Sequence, residues 1–318
     1  MKALYFDGQV RVTSDYPHPE RLRSEALVRV LKAGICNTDL EIVKGYMDFR
    51  GVPGHEFVGV VEHAEDGQLI GQRVVGEINC PCGTCKLCLA GRERHCPERT
   101  VLGIQGRDGA FAEYLVLPER NLHAVPDEVS DDEAVFVEPL AAAFRILQQV
   151  DVRHDDTAIV LGDGKLGLLV AQVINTRADR VVLVGRHEGR LRLAQGFGIE
   201  THIEGRLPSI AAHLVIDCTG SPDGLRQAVQ MATPEGTVVI KSTVADESCL
   251  PMAQAVVDEI TLIGSRCGPF EPAIDALRDG TIAVQPLITG KFGLDDGVEA
   301  MAEAAQNHAV KIIIEIAQ

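Results

Sequence analysis

Residues 80–96 constrain this chain more than any other stretch, because five of its nine cysteines fall there. Cys82, Cys85, Cys88 and Cys96 have the spacing C-x2-C-x2-C-x7-C. Short C-x2-C loops point two thiolates at one centre, and four such sulfurs suit a tetrahedral Zn²⁺ at about 2.3 Å. Cysteines at this spacing are poorly placed to form disulfides with each other. A closed four-cysteine site leaves no open coordination position, so we predict a structural zinc here and the chemistry elsewhere.

Charge and composition argue against several classes of partner. The net charge is -16 with no long run of like charge, which disfavours nucleic acids and anionic membrane surfaces. We expect no membrane span, because no run of about 20 apolar residues occurs, and the N-terminus lacks the apolar core of a signal peptide. Cysteines without a secretion signal fit a reducing compartment, so we expect a cytoplasmic protein.

The 318 residues are enough for two domains, and two patterns of predicted elements divide them. Before about residue 127, short strands broken by Gly and Pro predict an all-β lobe of partial-barrel type. Beyond it, short apolar strands such as 158–161 and 180–184 alternate with helices, which predicts a parallel sheet covered on both faces. A final strand over 311–316 is expected to return to the first lobe.

A glycine-rich loop joins a predicted strand to a predicted helix. Gly162-Asp163-Gly164-Lys165-Leu166-Gly167 has the form G-x-G-x-x-G. In this context the glycines allow a tight turn and close approach of a pyrophosphate, which then meets the free N–H groups of the helix. The loop therefore predicts a dinucleotide site; the alternative is a glycine-rich turn without a ligand.

The end of the next strand bears on the type of cofactor. An acid there would bind the adenosine ribose and favour NAD, whereas this chain has Gly185 followed by Arg186 and Arg190. Guanidinium groups bind phosphates well, so the sequence slightly favours NADP over NAD. The arginines could instead be solvated surface charges. Arg266 is predicted either to approach the cofactor or to form a helix-capping salt bridge.

In this context three further stretches become candidate active-site residues: Cys36 with Thr38 and Asp39, His55-Glu56, and Glu138-Pro139. Together with the cysteine lobe, the Asp108-to-Tyr114 segment and the glycine loop, they resemble the zinc-dependent medium-chain dehydrogenase/reductase family, the alcohol and polyol dehydrogenases. The resemblance covers essentially the whole length. It implies a two-domain α/β fold, a GroES-like partial β-barrel catalytic domain with a Rossmann doubly wound parallel-sheet domain. We place the catalytic domain at 1–130 and 268–318, with the zinc lobe at 80–97, and the dinucleotide-binding domain at 131–267.

The resemblance implies two Zn²⁺ per chain, a structural one and a catalytic one held by Cys36, His55 and a carboxylate. Glu56 and Glu138 compete for that place, and polyol and sugar dehydrogenases resemble this chain in having Glu-Pro at Glu138. Asp39 is expected to orient His55 from outside the ligand shell.

The implied reaction is hydride transfer between a secondary alcohol, polyol or sugar and a nicotinamide cofactor. Thr38 would accept the proton of the substrate hydroxyl. Some family members carry a relay histidine where this chain has Glu41, so the rest of the proton path stays open.

The alternatives are a quinone or enoyl reductase of the same fold, against which Cys36 and His55 argue, and a non-catalytic regulator that binds zinc and nucleotide. The resemblance also suggests a homodimer or homotetramer.

Overall fold

The computed structural model describes residues 1–206, 210–243 and 250–317. Within these ranges seventeen strands occur in chain order: β1 (Ala3–Phe6), β2 (Val10–Thr13), β3 (Glu25–Gly34), β4 (Glu56–His63), β5 (Arg73–Gly76), β6 (Asn79–Cys80), β7 (Thr100–Val101), β8 (Tyr114–Pro118), β9 (Leu122–Ala124), β10 (Thr157–Leu161), β11 (Arg180–Gly185), β12 (Glu200–Ile203), β13 (Ala212–Asp217), β14 (Ala232–Ile240), β15 (Thr261–Gly264), β16 (Ile288–Gly293) and β17 (Lys311–Glu315).

Ten α-helices are described: α1 (Asn37–Val43), α2 (Lys86–Leu89), α3 (Asp131–Ala134), α4 (Val137–Gln149), α5 (Lys165–Asn175), α6 (Glu188–Gly196), α7 (Gly224–Met231), α8 (Met252–Val257), α9 (Glu271–Arg278) and α10 (Gly297–Ala304). None of these described helices is long and apolar enough to cross a membrane.

The chain divides into two compact units. The first comprises Met1–Glu138, Ala273–Asp279 and Ile288–Gln318; the second comprises Pro139–Pro272 and Gly280–Leu287. The division predicted from sequence, with boundaries at residues 130 and 268, differs from this one, since residues 131–138 lie in the first unit and residues 268–272 and 280–287 lie in the second.

The first unit is built around a seven-stranded sheet in the order β16-β17-β3-β4-β5-β9, with β8 also paired to β3. Along β3, Ala26, Val28 and Val30 are fully buried at alternate positions, as expected for a strand with one face on a core. Gly34 pairs with Glu56 across β3 and β4, and with Ile313 across β3 and β17, both antiparallel. The last strand therefore returns to the first lobe, as predicted, and the end of β3 lies between the start of β4 and the middle of β17.

The second unit contains a six-stranded sheet in the order β12-β11-β10-β13-β14-β15. Every pairing in it is parallel. Ile159, Val182, Val215 and Val238, from four neighbouring strands, are fully buried in its core. Because strand order reverses beside β10, the carboxyl end of β10 is where such sheets bind ligands. The predicted two-domain α/β architecture is confirmed.

Candidate metal centres and cofactor loop

The four cysteines of the lobe converge on one point. The sulfurs of Cys82, Cys85, Cys88 and Cys96 all lie within 4.8 Å of one another. The Sγ–Sγ distances include 3.5 Å for Cys82–Cys96, 3.8 Å for Cys85–Cys96 and 3.9 Å for Cys82–Cys88. A tetrahedron with metal–sulfur bonds of about 2.3 Å has edges of roughly 3.8 Å, whereas a disulfide is about 2.05 Å long. The unbridged sulfurs are thus spaced as a four-coordinate zinc requires.

Local hydrogen bonds favour the charged form of the Cys82 sulfur. The N–H of Cys85 donates to the Cys82 sulfur at 3.4 Å, and the N–H of Cys82 donates to the Cys96 sulfur at 3.5 Å. Hydrogen bonds from Thr84 and Cys85 lower the pKa of Cys82 to about 6, whereas desolvation raises the pKa of Cys88 to about 12. A cation bound at the centre would let all four sulfurs be thiolates.

A second cluster contains Cys36, His55 and Glu56. One ligand atom from each lies within 4.8 Å of the other two. Cys36 caps the N-terminus of α1 just after β3, and His55 and Glu56 stand where β4 begins. The pairing of Gly34 with Glu56 across these strands brings the three side chains together. His55 and Glu56 are 3% and 0% exposed, so water reaches them poorly.

The Asp39 carboxylate contacts the backbone and side chains around this cluster. Its carboxylate is fully buried and accepts hydrogen bonds from the N–H groups of Cys36 at 2.7 Å and Gly54 at 3.0 Å. The same carboxylate lies 3.4 Å from His55 Nδ1. Although burial lowers the pKa of His55, the charge and hydrogen bonding of Asp39 raise it well above its usual value. Asp39 is thus placed to fix the ring orientation of His55, as a carboxylate beside the second ring nitrogen of a metal-binding histidine does.

Glu138 is not brought into this cluster. It lies in the first turn of α4, and the carboxylate beside Cys36 and His55 belongs to Glu56. Thr38 is close, because its Oγ1 lies 3.7 Å from the Cys36 sulfur. Glu41, at the position of the relay histidine, forms an ion pair with Lys44 at 2.9 Å.

Lys311 reaches the cluster from β17, although no motif in the sequence marks it as a site residue. Its ammonium forms an ion pair with Glu56, and both side chains are fully buried. A Cβ on Gly34 would lie 2.2 Å from Lys311 Nζ and 2.6 Å from Val135 Cγ1, so a larger residue there would require Lys311 or Val135 to move. The ammonium also lies 5.2 Å from the centre of the Phe136 ring. Burial lowers the pKa of Lys311, while the charges of Cys36 and Asp39 oppose that shift.

The glycine loop has the form that a pyrophosphate needs. Gly162 has a φ of +104°, and a Cβ there would lie 2.5 Å from the Cys218 carbonyl oxygen. A Cβ on Gly167 would lie 1.9 Å from the Gly162 oxygen, so α5 packs closely on the loop. Gly164 caps α5, and within the described residues nothing lies within 4 Å of its Cβ position. Lys165 and Leu166 then form the first turn of α5, whose free N–H groups can bind an anion.

The predicted cofactor arginines lie at two strand ends of the second unit. Gly185 ends β11, and Arg186 and Arg190 follow it; the Arg186 side chain is 64% exposed and the Arg190 side chain 15%. Arg266 follows β15, and its carbonyl accepts a hydrogen bond from Lys241 at 3.0 Å. Both groups of residues therefore lie beyond the carboxyl ends of parallel strands, where ligands of such sheets bind.

Comparison with known proteins agrees with the fold. Residues 23–127 match the family described as "Alcohol dehydrogenase GroES-like domain", and residues 165–279 match "Zinc-binding dehydrogenase". The chain belongs to the medium-chain dehydrogenase/reductase family. It is thus a member of a family of nicotinamide-dependent dehydrogenases, as the sequence resemblance predicted.

Three similar proteins illustrate the range of the family. The L-threonine 3-dehydrogenase of Streptomyces avermitilis is 32% identical over 327 residues, covering 95% of this chain and 94% of that protein. A crystal structure of RspB, an alcohol dehydrogenase from Escherichia coli CFT073 complexed with NADH, is 29% identical, with a TM-score of 0.90 and 99% of each chain covered. A zinc-binding dehydrogenase from Sinorhizobium meliloti 1021 bound to NADP is 28% identical, again with a TM-score of 0.90 and 99% coverage of each chain.

Proposed function

We propose that this member is a zinc-dependent oxidoreductase that transfers a hydride between a secondary alcohol, such as a polyol or sugar, and a nicotinamide cofactor. The observation that carries the proposal is the convergence of Cys36, His55 and Glu56 within 4.8 Å. One sulfur, one imidazole and one carboxylate are donors that Zn²⁺ accepts, and three protein ligands leave one coordination position open. A zinc bound there would act as a Lewis acid and lower the pKa of a hydroxyl group.

Each neighbouring side chain has a defined part in this proposal. Glu56 serves as the carboxylate ligand in preference to Glu138, since Glu56 is the carboxylate of the cluster. Asp39 orients His55 and fixes the backbone of Cys36. The Thr38 hydroxyl, 3.7 Å from the Cys36 sulfur, is positioned to accept the proton of the substrate hydroxyl. Lys311 balances the buried charge of Glu56.

We also propose that Cys82, Cys85, Cys88 and Cys96 hold the second, structural zinc. Their spacing supports a closed site that stiffens the lobe and leaves no position for substrate. The cofactor lies on the loop from Gly162 to Gly167, with NADP slightly favoured over NAD by the guanidinium groups beyond Gly185.

A cytoplasmic location and a homodimer or homotetramer complete the proposal. The first rests on the nine cysteines, which fit a reducing compartment. The second is supported by β15, an edge strand of the parallel sheet in the described part of the chain, where Leu262 is 37% exposed. Nearby in sequence, α8 exposes Val256 and Val257 by 69% and 79%, an apolar surface that a second copy could cover.

A substrate panel tests the proposed reaction. Purified protein is mixed with secondary alcohols, polyols, sugars and L-threonine, each with NAD and with NADP, and nicotinamide reduction is followed by absorbance. We expect turnover with at least one secondary alcohol, abolished by a zinc chelator and restored by added Zn²⁺. Bound zinc and nucleotide without hydride transfer to or from any member of the panel would instead favour a non-catalytic regulator.

A further inference from the structure

The arginine side chains that follow β11 already form ion pairs with carboxylates of the same unit. Glu204 directly follows β12, and its N–H donates to the Gly185 carbonyl at 2.8 Å, which places it beside the end of β11. Its carboxylate forms a two-point ion pair with Arg186, through Nε and through Nη2 at 3.2 Å. Gln227 of α7 donates to the same carboxylate at 3.0 Å. Glu204 is therefore held from both sides in contact with the guanidinium of Arg186.

Asp163, the second residue of the glycine loop, plays a similar part for the turn after β11. It is 5% exposed and accepts hydrogen bonds from the N–H groups of Arg186 at 2.9 Å and His187 at 2.6 Å. Its carboxylate also lies 3.0 Å from His187 Nδ1 and 3.9 Å from Arg190 Nη1. A Cβ on Gly185 would lie 2.4 Å from the Asp163 Cβ. The Asp163 carboxylate of the glycine loop thus occupies the space that an acidic side chain at Gly185 would need.

The charge beyond β11 is therefore more nearly balanced than the sequence suggests. The guanidinium of Arg186 faces Glu204, and that of Arg190 faces Asp163. Hydrogen bonding from Arg186 keeps the pKa of Glu204 below its usual value, so Glu204 is ionised at neutral pH. A phosphate carrying about −1.5 to −2 charges that approached Arg186 would compete with this carboxylate and be repelled by it.

We propose that Glu204 is a specificity-determining residue that limits the preference of this site for a 2′-phosphorylated adenosine ribose. The proposal rests on the proposed dinucleotide function and goes beyond it by assigning the balance between the two cofactor forms to the Arg186–Glu204 pair. Removing the carboxylate leaves the guanidinium available for the 2′-phosphate while the neutral ribose of NAD loses nothing.

Binding calorimetry with two cofactor fragments tests this without any turnover. ADP-ribose and 2′-phospho-ADP-ribose are titrated into the wild-type protein and into the Glu204→Gln variant. We expect Glu204→Gln to tighten binding of the 2′-phosphorylated fragment about tenfold, the scale of one charge-assisted hydrogen bond, and to change ADP-ribose binding less than about twofold.

The chain offers a matched control on the same strand. Glu200 starts β12 and pairs with Arg180 at 2.9 Å, so Glu200→Gln removes the same charge from the opposite end of β12. We expect Glu200→Gln to leave the ratio of the two affinities unchanged. The gain should also disappear in the double variant Glu204→Gln with Arg186→Gln, because the effect acts through Arg186.

Three results would count against the proposal. An affinity ratio in Glu204→Gln equal to that of the wild-type protein contradicts it, as does a gain that persists without Arg186 or one that Glu200→Gln reproduces. Failure of ADP-ribose itself to bind the wild-type protein is a separate result, which overturns the proposed dinucleotide site and with it this inference.

Discussion

Replacing Cys36 by serine is expected to reduce turnover by at least about a thousandfold, because a Lewis-acid metal contributes several kcal/mol to such a reaction and each 1.4 kcal/mol is a factor of ten. The serine hydroxyl is a much poorer zinc ligand than a thiolate at neutral pH. The measurement is the ratio kcat/KM for the best substrate of the panel. Binding of ADP-ribose to the second unit should be unchanged, since the glycine loop is untouched.

Cys80 supplies a control for this variant. It is buried at 6% exposure, belongs to the same unit, and is not one of the ligands of either cluster. Cys80→Ser should therefore keep zinc and turnover close to the wild-type values. Turnover that survives Cys36→Ser at the level of Cys80→Ser would show that the chemistry does not depend on this cluster.

Replacing Lys311 by methionine is expected to destabilise the zinc-free protein by about 3–5 kcal/mol, the typical cost of leaving one charge of a buried pair without its partner. Both Lys311 and Glu56 are 0% exposed, so water cannot replace the lost ammonium. Methionine keeps a similar length and shape, which separates the loss of charge from the loss of packing. The measurement is urea-induced unfolding followed by circular dichroism.

Two further variants make the result specific to the ion pair. Lys44→Met removes a lysine that is 69% exposed and pairs with Glu41, and we expect only a small effect on stability. Adding Glu56→Gln to Lys311→Met should recover part of the lost stability, because no uncompensated charge then remains. Equal losses in Lys311→Met and Lys44→Met, or no recovery in the double variant, would contradict the assigned role.

The features predicted correctly from sequence are those whose parts lie close together in the chain. The glycine loop spans six consecutive residues between a strand and a helix, and those elements form as the alternation of apolar segments predicts. The cysteine lobe likewise needs only short loops, and its four sulfurs are brought together. In both cases the local spacing already fixes which atoms can meet.

What sequence could not predict depends on pairing between distant strands. The choice between Glu56 and Glu138 stayed open because it depends on the register of β3 against β4, and the structure places Glu56 in the cluster. Lys311 was assigned to a strand without a role, since its contact with Glu56 requires β17 to pair beside Gly34. No alternation of apolar and polar residues marks β12 in the sequence, and Glu204, the partner of Arg186, directly follows that strand.

The zinc content of the purified protein distinguishes two metal centres from one. We expect Cys36, His55 and Glu56 to bind one zinc and the four cysteines of the lobe to bind another, independently. Elemental analysis should give about two zinc ions per wild-type chain and about one per chain of Cys36→Ser, with the fold of that variant intact by circular dichroism. Two zinc ions in both proteins, or only one in the wild-type protein, would contradict the claim that the Cys36 cluster is a metal centre.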